Sequence, residues 1–191
     1  LTLKQAKQVI ADNVDDVKRL QKLTNSMLGL LKEDKLEIQK SKVGLQPVIA
    51  RAMNLVVNQA LAKDIAIDDK TKNFLLLGDR QSLEQLFTIL LDNAIKYSNK
   101  GGTIIISSSK KGKHVSVAVA DAGIGMSDEV KSQIFTRFYR AEESRTTAGY
   151  GLGLSIAERI IKAHGGRINV DSEQNVGSTF TVILPAYNKK K

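Results

Sequence analysis

Asn93, Lys96 and Tyr97 stand three and four residues apart at the end of an apolar-periodic segment, so on a helix they project from one stripe. An amide oxygen can ligate a hard cation, an ammonium neutralises phosphate, and a tyrosine ring offers an aromatic wall with a polar tip. A helix end carrying ordinary solvated side chains has the same residue types. Two glycine clusters shift the balance. Asp121-Ala-Gly-Ile-Gly-Met126 follows a strand pattern, and Gly149-Tyr-Gly-Leu-Gly-Leu154 opens a helical one. Glycine permits positive φ and lets the main chain approach a ligand closely, while a helix start offers unpaired N–H groups and the positive end of its dipole to phosphate. Either cluster alone is accounted for by turn geometry. Combined with the polar stripe, they imply one nucleotide pocket with a base end and a phosphate end.

Between the clusters lies Ile134-Phe-Thr-Arg-Phe-Tyr-Arg140, followed by a polar, small-residue run to Ala148. The segment reads as a lid: Phe135 and Phe138 anchor it, and Arg137, Arg140 and Arg145 reach toward phosphate oxygens or are simply solvated.

These groups need a scaffold, and the periodicities supply one. Leu3, Ile10, Val17, Thr24 and Leu31 recur every seven residues, with Ala6, Asn13, Leu20 and Met27 three behind the first four. That heptad seam predicts a long amphipathic helix from about 2 to 39, packed in a coiled coil or bundle. Ser41-Lys-Val-Gly44 interrupts it, which divides the chain into residues 1–41 and 42–191. The second part reads helix (46–62), strands (65–68 and 73–77), helix (79–97), strands (103–109 and 114–120), short helix (127–134), helix (151–164) and strands (167–172 and 178–184). In the helix at 79–97, Leu83, Leu86, Phe87, Leu90, Leu91 and Ala94 share the apolar face. Strand pairs beside separate helices predict an α+β two-layer sandwich rather than a doubly wound sheet.

Composition narrows the classes. The 191 residues carry no cysteine, which removes disulfides and thiol chemistry, and no run long enough to span a membrane. The formal charge of +9 is divided as +3 over 1–45 and +6 over 46–191, without a basic stripe or the aromatic interleaving that stacks single-stranded bases. A nucleotide is therefore the expected anionic partner, not a nucleic acid.

In this order the motifs resemble the catalytic, ATP-binding domain of bacterial two-component sensor histidine kinases, over about 46–186. Asn93 to Ser98 resembles the asparagine box, Asp121 to Gly125 the first glycine box, Phe135 to Arg140 the phenylalanine box and Gly149 to Leu154 the second glycine box. Ala163-His-Gly-Gly166 and Gly177 to Pro185 resemble the closing pattern. The preceding helix resembles the second helix of the dimerisation and phosphoacceptor domain. The resemblance implies the sandwich shared with gyrase and the heat-shock-90 chaperones, a mixed, largely antiparallel sheet with helices on one face. It implies that Asp121 accepts from the adenine amino group, with Thr179 nearby through water, and that Tyr97 flanks the base or ribose. Asn93 then ligates Mg2+, Lys96 with Arg137 or Arg140 neutralises the phosphates, and Gly123, Ile124 and Gly125 line the base. Phe138, Gly149, Tyr150, Gly151, Leu152, Gly153 and Leu154 surround the phosphates, bound through main-chain N–H groups.

The implied activity is protein-histidine kinase: transfer of the ATP γ-phosphate to a histidine, for relay to an aspartate in the receiver domain of a response regulator. The implied setting is the cytoplasmic portion of a homodimeric membrane sensor. Two departures bear on this. The family commonly places an asparagine four residues before Asn93, and the hydrolytic relatives a water-activating glutamate; this chain has Ile89, which cannot serve as a base. The only histidines, His114 and His164, fit structural positions, so the acceptor helix is expected N-terminal to Leu1. At His164 a cation complementing the helix dipole is expected. A nucleotide-binding switch without transfer is the alternative. A serine kinase of the anti-sigma-factor type would lack the heptad helix.

Overall fold

The computed structural model describes residues 2, 5–6, 8–10, 13, 17, 38–141 and 150–188. The chain forms two compact units, Leu1–Leu36 and Glu37–Lys191. In the first, Ala6, Ile10, Asn13 and Val17 are helical, and Ile10 and Val17 are exposed. The remaining seam positions lie outside the described residues.

The second unit is an α+β sandwich. Its main sheet has the order β2–β4–β5–β7–β6, comprising β2 (Ala66–Lys70), β4 (Thr103–Lys111), β5 (His114–Asp121), β6 (Arg167–Glu173) and β7 (Gly177–Pro185). All neighbours are antiparallel except β2 and β4. A two-stranded sheet pairs β1 (Ser41–Gly44) with β3 (Leu75–Gly78). The sequence reads the strands near 65–77 as an antiparallel pair. Instead β3 pairs with β1, within the 41–45 segment expected as a boundary, and β2 joins the main sheet in parallel. The strand end at Ala186–Tyr187 returns to β3, where the Tyr187 N–H donates to Leu75 O at 2.8 Å.

Alternation along the strands sends Ile104, Ile106, Val115, Val117, Val119, Phe180, Val182 and Leu184 to one buried face. Against it lie α1 (Leu45–Ala62), α2 (Arg80–Tyr97) and α4 (Gly153–Ala163), while α3 (Asp128–Gln133) is a short helix after the first glycine turn. Helix α2 is the central one, packed between α1 and α4 and against β5. It buries Leu83, Leu86, Phe87, Leu90, Leu91, Ala94 and Ile95, the predicted face plus one position. Its N-terminus is capped by Asp79, whose carboxylate accepts from the Ser82 N–H at 2.8 Å; the Ser82 hydroxyl, then this N–H, lower the Asp79 pKa against the effect of burial, and the charge matches the dipole.

His164, 2% exposed at the C-terminus of α4, corrects the expected cation. Its Nε2 accepts the Asp79 N–H at 3.0 Å, so Nδ1 must carry the proton and donate to Ile160 O at 2.7 Å. Burial pushes the imidazole pKa down, and the ring joins two elements as a neutral group. Gly78 makes room for it: a Cβ there would lie 2.7 Å from His164 Cδ2.

Candidate functional site

Helix α2 carries the site along one stripe. Ile89, Asn93 and Tyr97 follow at intervals of four, with Lys96 adjoining, and all four are half-buried. At 1.5 Å per residue the stripe from 89 to 97 spans about 12 Å. Each end meets one glycine turn. At the far end Tyr97 O accepts the Ile124 N–H at 3.2 Å and Ser98 bridges Gly123. At the near end Ile89 Cγ2 lies 3.3 Å from where a Cβ of Gly153 would stand. The two predicted glycine turns are thus brought to opposite ends of a single helical face.

At the first turn the half-buried Asp121 ends β5. Burial pushes its pKa above the ordinary carboxylate value, while N–H groups of Gly123 and Ser178 pull it back; the Gly123 bond measures 3.0 Å. A partly desolvated carboxylate acceptor is suited to reading an amino group. Gly123 and Gly125 answer to the chain's own packing. A Cβ on Gly123 would fall on the Tyr97 carbonyl, and one on Gly125, at φ +62°, on the Glu173 carbonyl. Ile124, held between them, leaves its side chain partly exposed.

The sheet register corrects Thr179. Asp121 pairs with Ser178, and alternation turns Thr179 to the opposite face of β7, beside Ala120. Ser178 is buried, shares the face of Asp121 and lies 2.9 Å from Ser172 Oγ. Ser178, not Thr179, is therefore the β7 side chain on the Asp121 face. Asp92 was also missed: its carboxylate forms an ion pair with Lys96 one turn on, so Lys96 can turn to phosphate only by sharing or leaving that partner. The i,i+4 spacing of Asp92 and Lys96 was the available signal.

At the second turn, Gly149 and Arg145 lie outside the described residues. Gly151, at φ +68°, packs on the 138–139 backbone, where a Cβ would come within 2.6 Å of Tyr139 O; its own carbonyl accepts the Phe138 N–H at 2.9 Å. Phe138 has φ +64°, a strained value for an aromatic residue, and is 54% exposed. Arg137 is exposed, Arg140 half-buried and Tyr150 exposed. Leu152 is buried and stands at the N-cap of α4, where it has no side-chain oxygen with which to close the helix. The first N–H groups of α4, at Gly153 and Leu154, therefore depend on main chain, solvent or a bound anion for partners.

Residues 78–188, more than half the chain, match the family model described as histidine kinase-, DNA gyrase B- and HSP90-like ATPase, and the chain belongs to that family. Within it the similarity runs to the catalytic domain of bacterial sensor histidine kinases. The sensor histidine kinase YkoH of Bacillus subtilis is 38% identical over 172 residues, covering 88% of this chain and 37% of that protein. Full-length ShkA, solved in complex with AMPPNP, superimposes with a TM-score of 0.84 at 26% identity, covering all of this chain and 41% of that one. Histidine kinase ThkA in complex with the response regulator TrrA gives a TM-score of 0.75 at 26% identity, over 97% of this chain and 52% of that one. The chain spans well under half the length of the curated relatives it matches. Its fold and family make it an ATP-binding catalytic domain. Among the described residues no helix is long and apolar enough to cross a membrane.

Proposed function

We propose that the chain positions ATP so that its γ-phosphate passes to a histidine on a helix outside residues 1–191, for relay to an aspartate of a response regulator. The observation that carries this reading is the α2 stripe joining the two glycine turns. One end presents a half-buried carboxylate acceptor, Asp121, and the other a helix N-terminus without a side-chain cap, with Asn93 and Lys96 between. Asp121 would accept from the adenine amino group, and Tyr97 would flank the base or ribose. Lys96 and the arginines at 137 and 140 would neutralise phosphate oxygens, and the N–H groups at the start of α4 would hold them.

Magnesium bound to nucleotide typically keeps one or two protein ligands and takes the rest from phosphates and water. The half-buried Asn93 amide on the stripe fits that role. The ion would neutralise charge on the transferring group. Phosphoryl transfer needs positioning and electrostatics more than a covalent nucleophile, and Ile89 offers no base for water. The cytoplasmic face of a membrane sensor, acting as a homodimer, is the setting we assign to the intact protein. Ile89, which stands where relatives commonly have asparagine, favours a second reading: nucleotide held as a switch without transfer.

The deciding experiment supplies γ-labelled ATP and Mg2+ to the chain, alone and with a phosphoacceptor domain from a sensor histidine kinase. Label on the added domain, and none on this chain, is the expected result. Tight binding of ATP without labelling of any acceptor would favour the switch.

A further inference from the structure

The last turn of a helix leaves four carbonyls without an intrahelical donor. At the C-terminus of α2 each of the four has a partner. Ala94 O accepts the Ser98 N–H at 2.9 Å, and Tyr97 O accepts the Ile124 N–H of the first glycine turn at 3.2 Å. The two between them share one group: the Lys63 ammonium donates to Ile95 O at 3.0 Å and to Lys96 O at 2.6 Å. Its third bond goes to Ser98 O at 3.3 Å. Three acceptors match the three donors of an ammonium, and a cation at a helix C-terminus complements the dipole.

Lys63 is itself held in place. It directly follows α1, ahead of Asp64, whose φ of +58° turns the chain sharply toward β2. The Lys63 carbonyl accepts the Gly101 N–H at 3.1 Å, from the loop that leaves α2. Both sides of the α2 terminus are therefore fastened to the same residue. The turn so fastened carries Asn93, Lys96 and Tyr97, and through Tyr97 O it bears on the Asp121–Gly125 loop.

We propose that Lys63 is a positioning residue for the nucleotide. Without touching the ligand, it fixes the α2 terminus in the orientation that aligns Asn93, Lys96 and Tyr97 with the first glycine turn. This rests on the reading of that stripe as the ATP site. A shift of about 1 Å in a positioning element can cost up to two orders of magnitude in function, and two of the four terminal carbonyls here hang on one flexible side chain.

The test uses the full 191-residue chain with Lys63→Met, which keeps the apolar stem and loses all three donors, and Lys63→Arg, which keeps a cation with several donors. Binding of a non-hydrolysable ATP analogue with Mg2+ is measured by calorimetry well below the unfolding midpoint, and amide exchange at Ser98 and Ile124 is measured without nucleotide. The expected result for K63M is a dissociation constant raised about tenfold or more, with faster exchange at both amides, and for K63R a substantial recovery of affinity. A purely structural lysine would lower the melting temperature of K63M and leave low-temperature affinity within about twofold of the parent chain, far short of a positioning effect; that result overturns the proposal. If K63M does not fold, Lys63→Gln, which keeps two donors, takes its place under the same criterion. Absence of binding by the unmodified chain would instead overturn the ATP reading of the stripe, and the role of Lys63 with it.

Discussion

The two glycine turns look alike in the sequence and differ in what fills the space their glycines leave. At the first, the positions a Cβ would take on Gly123 and Gly125 are occupied by carbonyls of Tyr97 and Glu173. At the second, Gly151 packs in the same way on the 138–139 backbone, but among the described residues a Cβ on Gly153 would meet just the Ile89 methyl, at 3.3 Å. The first turn is closed, a joint locking β5, α2 and β6 together behind Asp121. The second is half open, its last glycine lying where α4 starts without a side-chain cap. A glycine-rich motif therefore does not by itself mark ligand contact. Glycine serves the fold where backbone crowds it, and serves the ligand where space remains.

Substitutions should break the two turns differently. Gly125→Ala places a side chain on a backbone carbonyl at positive φ, and is expected to cost at least about 3 kcal/mol or to prevent folding; urea unfolding measures it. Loss of less than about 1 kcal/mol, the size of an ordinary substitution, would show that the turn relaxes and is not closed. Asp121→Asn should separate binding from stability at the same turn. The new amide can keep its oxygen toward the Gly123 N–H, but it turns an NH2 toward the adenine amino group. Affinity for an ATP analogue should fall at least about tenfold, the worth of a charge-assisted hydrogen bond. The melting temperature without nucleotide should hold or rise, because burial disfavours the charged carboxylate. A fall in both would make Asp121 structural.

How much of this could be read beforehand depended on the range of the interaction. The apolar face of α2, the helices at 45–62 and 153–163 and nine-residue β7 follow from local periodicity. Strand partners do not, which is why β2 was read beside β3 when it runs parallel to β4. Ser178 and Thr179 are adjacent small polar residues that the sequence alone cannot tell apart, and only the register opposite Asp121 puts Ser178 on its face. Lys63 gave no local signal, because its acceptors lie more than thirty residues away in the chain. His164 was legible as structural, yet its neutrality follows from an Asp79 N–H 85 residues distant.

A subtler substitution sharpens the open end. Gly153→Ala has ordinary φ, meets among the described residues the tip of Ile89, and replaces glycine in the first turn of α4 with a better helix former. Unfolding free energy should change by less than about 1 kcal/mol. Affinity for the triphosphate analogue should fall by more than affinity for adenosine, since the added methyl crowds the phosphate end. Adding Ile89→Ala to relieve the methyl contact, and finding the same loss, would place the defect in ligand approach. Equal losses for triphosphate and nucleoside would undo the assignment of this turn to phosphate.

The smallest effect expected comes from the other end of α4, where His164 closes the helix that the second turn leaves open. Its imidazole accepts an amide N–H, which protonation forbids, and burial lowers its pKa from 6.5, opposed by the Ile160 carbonyl and by Asp79 and assisted by Lys40. A folded-state pKa below the unfolded one means that the unfolded chain binds the proton first. The stability His164 contributes is thus present above about pH 6.5 and declines as pH falls from there toward the lowered value. Hydrogen exchange at mildly acid pH, corrected for intrinsic rates, should accelerate in α4 and at the Asp79 amide before it does at Gly123 and Ile124. The His164→Gln chain, which retains an acceptor without titrating, should lose that pH dependence. If both turns loosened together, the two ends of the stripe would respond as one unit, and the distinction between the two glycine turns would reduce to local sterics.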